Sequence, residues 1–402
     1  MRKMKKMNLI NTLFVGVALS CLLPTTSQAE TNSEMESLRE EVRELKEMLL
    51  KQVKQTKSEV KSIQKDIKKI KPSQAFNEGD SRFKLAGYAS LGYTEQEMSD
   101  GRFDTVQFSP IIQYSYKDKV FFVSELEYKI EADGSTTTAL EYATTNVILN
   151  DNATLVVGKF LSPLGNFRQN IHPSWINKLA SAPVGFGHDQ AAPIADVGVQ
   201  LRGGFDVGNI KTTYAAYMAN GPELELNGAG DEIEAIESAG FTRDVDGEKV
   251  YGGRITILPF DNFEWGVSGA YGAVGLANES DRSYRAFGSD FSYKWKNLDL
   301  RGELIKQHVG ALDSSVAPEK STWTASYLQA AYNIPKTKYE TVIRYSDLNS
   351  PHPDADQDQV ALGVNYLFSA NIIAKLSYEL NNGLLNTATD SDRYMFQVSY
   401  GF

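Results

Sequence analysis

An all-β transmembrane barrel of sixteen antiparallel strands, preceded by an α-helical coiled-coil segment, is the fold class this sequence predicts. Three observations carry it. From residue 82 onward, apolar and polar residues alternate with period two almost everywhere. The alternating runs are joined by links that are short and long in turn. The chain also stops on such a run: Tyr394, Phe396, Val398, Tyr400 and Phe402 share one face, and Met395, Gln397, Ser399 and Gly401 share the other. An apolar, aromatic side for lipid and a polar side for water is how a membrane-crossing strand reads.

In chain order, the first element is a leader. Arg2, Lys3, Lys5 and Lys6 form a basic start, residues 9–23 are apolar and uncharged, and Ser27 and Ala29 supply small residues at a cleavage site. Residues 1–29 are therefore expected to be a secretory signal peptide. Pro24 and the short apolar run disfavour a retained anchor helix. A lipid attachment at Cys21 is disfavoured because Leu22, Leu23 and Pro24 continue the apolar region past it. Cys21 is the only cysteine and leaves with the leader, which removes disulfides, zinc–thiolate sites and thiol catalysis from the mature chain.

Residues 32–71 change to a helical period. Met35, Leu38, Val42, Leu45, Leu49, Val53, Thr56, Val60, Ile63, Ile67 and Ile70 step by threes and fours, with charges such as Glu44, Lys46, Glu47 and Lys51 on the remaining face. The consecutive steps Leu45–Leu49–Val53 are a stutter that locally unwinds a supercoil. A lone helix with such a stripe needs partners, so an oligomeric coiled coil is expected. Isoleucine at successive seam positions leans toward three strands. Residues 72–81, with Pro72 and Gly79, read as a linker.

The barrel then occupies 82–402. Its expected strands are 82–94, 104–116, 119–131, 138–149, 153–161, 197–206, 210–220 and 249–259. The second half holds 263–275, 284–296, 298–308, 322–333, 338–347, 358–368, 371–381 and 392–402. An even count suits a bacterial single-chain barrel. In the third strand Glu125, Glu127, Lys129 and Glu131 fall on one side. Such a row suits a watery lumen and not a dry core. Short links at one end and long ones at the other is the outer-membrane pattern, with the short ones periplasmic. That parity places the helical stalk in the periplasm. The aromatics beside the short links, Tyr116, Phe121, Phe205, Phe263, Trp295, Tyr332, Tyr339 and Phe368, are expected to form the periplasmic girdle.

The longest link, 162–196, carries Phe167, Trp175 and Phe186 beside Arg168, His172, Lys178 and His188. A link of this length usually has a function, and this composition favours a loop folded into the lumen over a cap or a latch onto a neighbouring subunit. Inward positions on the strands include Lys84, Lys129, Lys159, Arg202, Lys211, Arg254, Arg301, Arg344 and Lys375. They also include Glu125, Glu127, Asp290, Asp299, Glu303, Glu340 and Glu379. The candidate pore-lining or constriction set is Lys159, Arg168, His172, Lys178, His188, Arg202, Arg254, Arg301 and Arg344. Tyr400 and Phe402 are the candidates for barrel closure and assembly.

Three stretches, GKFLSPLGNFRQNIHPSW from Gly158, SAPVGFGHD from Ser181 and VGVQLRGGF from Val197, resemble the phosphate-selective porin O and P family, including members with an N-terminal periplasmic coiled coil. The resemblance implies a trimeric outer-membrane channel for passive diffusion of small hydrophilic solutes or ions, anions such as phosphate or carboxylates among them. The mixed inner charges leave the sign of selectivity open, because rings of charge act by position.

Other classes fare worse. Removing the four basic residues of the leader takes the formal net charge from −10 to −14, and the stalk is locally basic, so the barrel is acidic and nucleic acid is not an expected partner. There are four histidines, His172, His188, His308 and His352. None has metal-ligand spacing, and His188-Asp189 has no accompanying nucleophile motif. No enzyme, metal or cofactor is expected. The alternative function is structural: a barrel tethering the outer membrane to the cell wall through its basic stalk. Expected partners are two further copies of the chain, outer-membrane lipid and small solutes.

Overall fold

The computed structural model describes residues 80–402 apart from 98, 188–190, 278, 353 and 386. The expected leader and coiled coil, the linker as far as residue 79, and His188 lie outside the described residues.

Alternation does what it should. The first strands are β1 (Ser81–Gln96), β2 (Ser99–Arg102), β3 (Val106–Tyr116), β4 (Val120–Ile130), β5 (Thr136–Asn150) and β6 (Ala153–Leu161). There follow β7 (Ala195–Val207), β8 (Ile210–Ala219), β9 (Glu223–Leu226), β10 (Ile233–Glu237), β11 (Val250–Phe260) and β12 (Phe263–Val274). The last are β13 (Arg282–Trp295), β14 (Leu298–Val309), β15 (Ser321–Asn333), β16 (Tyr339–Asn349), β17 (Gln357–Ser369), β18 (Ile372–Asn382) and β19 (Arg393–Gly401). Among the described residues, β9 and β10 pair only with each other, and the four-residue β2 extends the hairpin of β1. The other sixteen form one antiparallel sheet that closes on itself.

Closure is made by the chain's two ends. β19 pairs with β1 from Tyr88↔Gly401 to Gln96↔Arg393. Gly87 and Phe402 exchange backbone hydrogen bonds of 3.0 and 2.9 Å, so neither edge strand is left unpaired. On β1, Phe83 and Leu85 are 54% and 55% exposed while Tyr88 on the opposite face is 1% exposed. On this strand, then, the apolar side chains point away from the barrel axis and the hydroxyl-bearing Tyr88 points toward it.

The links behave as their lengths imply. At one end the strands turn through 117–119, 151–152, 208–209, 261–262, 296–297, 334–338 and 370–371. Lys117 and Asp118 have φ of 52° and 50° and sit between Tyr116 and Lys119, whose backbone groups bond at 3.1 Å. Two central residues at positive φ make a type I′ turn, whose twist matches that of the flanking strands. At the other end lie the long links, including 162–194 and 220–249.

The apolar core lies inside the barrel. Phe160 and Tyr217 from the wall belong to one buried cluster with Leu164, Phe167, Ile171 and Phe186 from link 162–194. Phe186 meets Tyr327 of β15 edge-on at 5.1 Å, a geometry worth about 0.5–1.5 kcal/mol beyond burial alone.

That interior core explains two departures from the expected facing. Lys159 pairs across with Ala143 and Val197, on the face of the exposed Val157 and Val199, because its neighbour Phe160 turns inward onto the cluster. Phe121 pairs with Asn146, whose side chain receives Arg202 inside the barrel, so this ring leaves the girdle.

Candidate functional site

The site is built where link 162–194 crosses the barrel interior. Its first anchor is on β14. The backbone N–H groups of Asn166 and Phe167 donate to the two carboxylate oxygens of Glu303 at 3.1 and 2.9 Å, and Gly165 N–H donates to Ser268 Oγ of β12 at 3.1 Å. Gly165 has φ +85°, and a Cβ there would lie 1.8 Å from a Glu303 oxygen. Only glycine lets the loop approach that closely.

A single π turn, Phe167–Ile171, then carries the chain over the lumen. His172 follows, its Nδ1 against the Arg168 carbonyl and its Nε2 4.0 Å from Glu125 of β4. Tyr88 of β1 donates to the same Glu125 carboxylate at 2.7 Å. In the ring of sixteen strands, β4 and β14 stand eight strand steps apart in either direction. The π turn, reached by the Glu303 side chain from one side and linked through the His172 ring to Glu125 on the other, thus bridges strands on opposite sides of the ring.

The loop returns along β16–β19. Lys375 of β18 donates to the carbonyls of Ser174 and Leu179 and to Gln397. Trp175 lies against Gly401, where a Cβ would come within 2.8 Å of its ring. Lys178 forms an ion pair with Glu340, and Asn365 donates to the Lys178 carbonyl at 2.8 Å. Ser181 donates to Glu379. Arg344 of β16 donates to Ser181 O, Ser181 Oγ, Ala182 O and Gln359 at 3.0–3.1 Å. Finally Gln307 of β14 donates to Ala191 O at 2.7 Å, and the chain passes into β7.

The sequence-predicted residues divide accordingly. Arg344 is fully buried under the loop, and Lys178 is its partner in fastening the loop to β16. Arg168 lies in the π turn and His172 caps it, at the bridge between β14 and β4. Arg254 is held by both oxygens of Asp290, at 3.2 and 2.5 Å, and Arg301 by both of Asp299, at 2.9 and 2.7 Å. Lys159 stands on the outer face, as described above, and is not brought to the others. Glu303, Glu379 and Lys375 read in the sequence only as inward charges. Their role as loop anchors had no local signal, because each meets a segment more than a hundred residues away.

The loop leaves part of the wall uncovered, on β6–β8 and β11. A cavity of about 290 Å3 opens there, lined by Thr154, Gln169, Gln200, Arg202, Arg254 and Thr256. Arg202 is exposed, and its hydrogen-bond partner is the neutral amide of Asn146 at 2.9 Å. Several inner acids are held by cations: Glu127 by Lys129, Glu379 by Arg393 and Arg344, and Asp290, Asp299 and Glu340 as given above. This arrangement provides an open polar cavity beside a tied-down loop, with the Arg202 guanidinium on its wall held by a neutral partner.

No protein-family model matches the chain, and no curated protein matches it. Solved structures do. The anion-selective porin from Comamonas acidovorans aligns with a TM-score of 0.56 at 14% identity, covering 80% of this chain and 100% of that one. The outer membrane channel DcaP of Acinetobacter baumannii gives 0.55 at 11% identity, covering 83% and 99%. The trimer form of OmpT, an outer membrane protein of Vibrio cholerae, gives 0.51 at 12% identity, covering 81% and 100%. At these identities the likeness is one of fold: the chain has the closed sixteen-stranded barrel of these outer-membrane proteins.

Proposed function

We propose that this protein is an outer-membrane porin, a water-filled channel for passive diffusion of small hydrophilic solutes or ions. The carrying observation is the division of the interior. Link 162–194 is fastened to one side and leaves a polar, open wall on the other, where Arg202 faces the cavity. The apolar outer face supports a membrane location, since contiguous exposed apolar surface of this extent marks a membrane or partner surface. The alignment with structures described as a porin and as an outer membrane channel supports the same reading, and an enzymatic role is not proposed.

Within that reading, anions are the favoured solutes. Five inner carboxylates, Glu127, Asp290, Asp299, Glu340 and Glu379, carry ion pairs, while Arg202 keeps a neutral partner. The acidic surplus of the sequence is therefore offset in part along the lumen, and the wall at Arg202 is left with a positive charge facing the cavity. A homotrimer is the proposed assembly, supported by the trimer form of one structural neighbour and by the expected coiled coil, which would stand in the periplasm on the side of the short links.

Purified full-length protein in a planar bilayer tests this. Stepwise conductance, with a reversal potential in a KCl gradient set by chloride, is the expected result. A folded sample that stays silent would sink the channel and favour the structural tether to the cell wall.

A further inference from the structure

On the outside of the barrel, near the long-link end, one row of side chains breaks the apolar rule. Tyr271 of β12 pairs with Arg285 of β13, Arg285 with His308 of β14, and His308 with Thr322 of β15. These four lie side by side on the outward face, roughly 5 Å between neighbours. Lys306 is two residues below His308 on the same face, and Lys320 is two residues beyond Thr322, each roughly 7 Å away along its strand. Arg285, Lys306 and Lys320 are exposed. The His308 ring sits 2.8 Å from the Thr322 hydroxyl, and the charged groups around it are Lys320, Arg285 and Lys306.

No carboxylate completes the cluster. Among the described residues none of the three cations forms an ion pair. Asp347, an outward acid on β16, lies two strands from Lys306 and accepts from the Asn349 amide. Glu319 precedes Lys320 in the link before β15, and both line a cavity with Glu232, but neither acid forms an ion pair with Lys320. Three cations grouped around His308 on a surface that otherwise carries Phe287, Leu304 and Leu328 repel one another. They also have no water-filled lumen to face.

We infer that this row is a binding site for the phosphate headgroup of an outer-leaflet lipid, an inference that rests on the reading of the barrel as membrane-spanning. A lipid-facing cation is costly at the bilayer midplane and tolerated near the interface, which is where the long-link end of β13–β15 stands. Phosphate oxygens accept from Arg285, Lys306 and Lys320 together, and the acyl chains lie down the apolar face below, against Phe287, Leu304 and Leu328. Tyr271, 66% exposed and stacked on Tyr251 at 5.9 Å, flanks the headgroup with an aromatic ring at the interface.

The test uses the full chain in phosphatidylcholine vesicles containing a minority of phosphatidic acid. Flotation reports insertion, and mass spectrometry of the re-extracted protein counts the lipids retained. Phosphatidic acid is expected to be enriched over phosphatidylcholine. Arg285→Gln and Lys306→Gln should each lower that enrichment about fivefold, the worth of one cation at an anionic surface. Lys211→Gln, on the inner face, should leave it unchanged. A chain that floats but shows no enrichment, or the same enrichment in both variants, overturns the site. Displacement of the bound lipid by inorganic phosphate overturns the lipid assignment. A chain that does not float overturns the membrane reading itself.

Discussion

Glu303 and Phe167 are joined by a 2.9 Å hydrogen bond from the loop's backbone N–H to a carboxylate on β14, across 136 positions of sequence. The other oxygen of the same carboxylate takes the N–H of Asn166. A fully engaged carboxylate thus plays for the loop the part a capping side chain plays for a helix: it accepts from N–H groups that no strand satisfies. Replacing Glu303 with glutamine keeps one acceptor and turns the other into a donor facing an N–H. The expected cost is about 1–3 kcal/mol for the orphaned group, seen as a lower unfolding temperature, with noisier open-channel current as the loop loosens.

Arg344→Met removes a guanidinium from four acceptors while keeping much of its length. Glu379 retains Arg393 and Ser181, so the loss should fall on the loop segment 181–182. Breaking a buried charged pair of this kind costs about 3–5 kcal/mol. Single-channel conductance should rise in the variant, and protease cleavage within 173–187 should appear. Unchanged conductance and protection would show that the loop holds without this anchor.

Gly165 and Gly208 separate backbone strain from crowding. Both have positive φ, +85° and +62°, but a Cβ at Gly208 meets nothing within 4 Å. Gly208→Ala should cost only the left-handed penalty, about 1–2 kcal/mol. Gly165→Ala should cost clearly more, because Glu303 must move and the loop anchor with it. Paired thermal unfolding of the two variants reads the difference directly.

Arg202→Ala removes an inner cation that faces the cavity with a neutral partner. One charge at about 4 Å in a watery channel is worth about 1 kcal/mol, up to a fivefold change in permeability ratio. The reversal potential in a KCl gradient should shift away from chloride. Arg254→Gln, which instead frees Asp290, should shift it further in the same direction.

Deleting Phe402 removes the partner of Gly87 and the ring that stacks on Phe108 at 6.0 Å. The seam between β1 and β19 then loses its last two backbone bonds. Slower barrel assembly is expected, read as a smaller heat-modifiable fraction on electrophoresis after a fixed refolding time. Tyr400, also outward at the seam, should show a weaker effect when changed to serine.

The barrel was almost fully legible in the sequence. Sixteen runs at period two matched sixteen strands within two or three residues at each end, because outward apolar and inward polar facing is decided residue by residue. Lys159 and Phe121 escaped that rule for one reason each. Phe160, beside Lys159, turns inward to an apolar cluster supplied by the loop, and Phe121 shares the inner face of Asn146. A hydrophobic period assigns two faces but does not say which is lipid-facing wherever the interior is also dry. The functional interior was legible only as a set of inward charges. Arg344 and Arg202 look alike in sequence, yet one is sealed beneath Ser181 and the other opens onto the cavity.

By itself, then, the sequence determined the class of fold, the number of strands and the closing pair of ends, since these follow from a two-residue repeat and from link lengths that are local properties of the chain. Tertiary structure alone decided the path of link 162–194 and hence which inner charges are spent as anchors. Those contacts join Ser181 to Arg344 across 163 positions and Ala180 to Gln397 across 217. No local periodicity encodes a partner that distant. It exists only once the closed wall holds every inward side chain at a fixed place around the lumen.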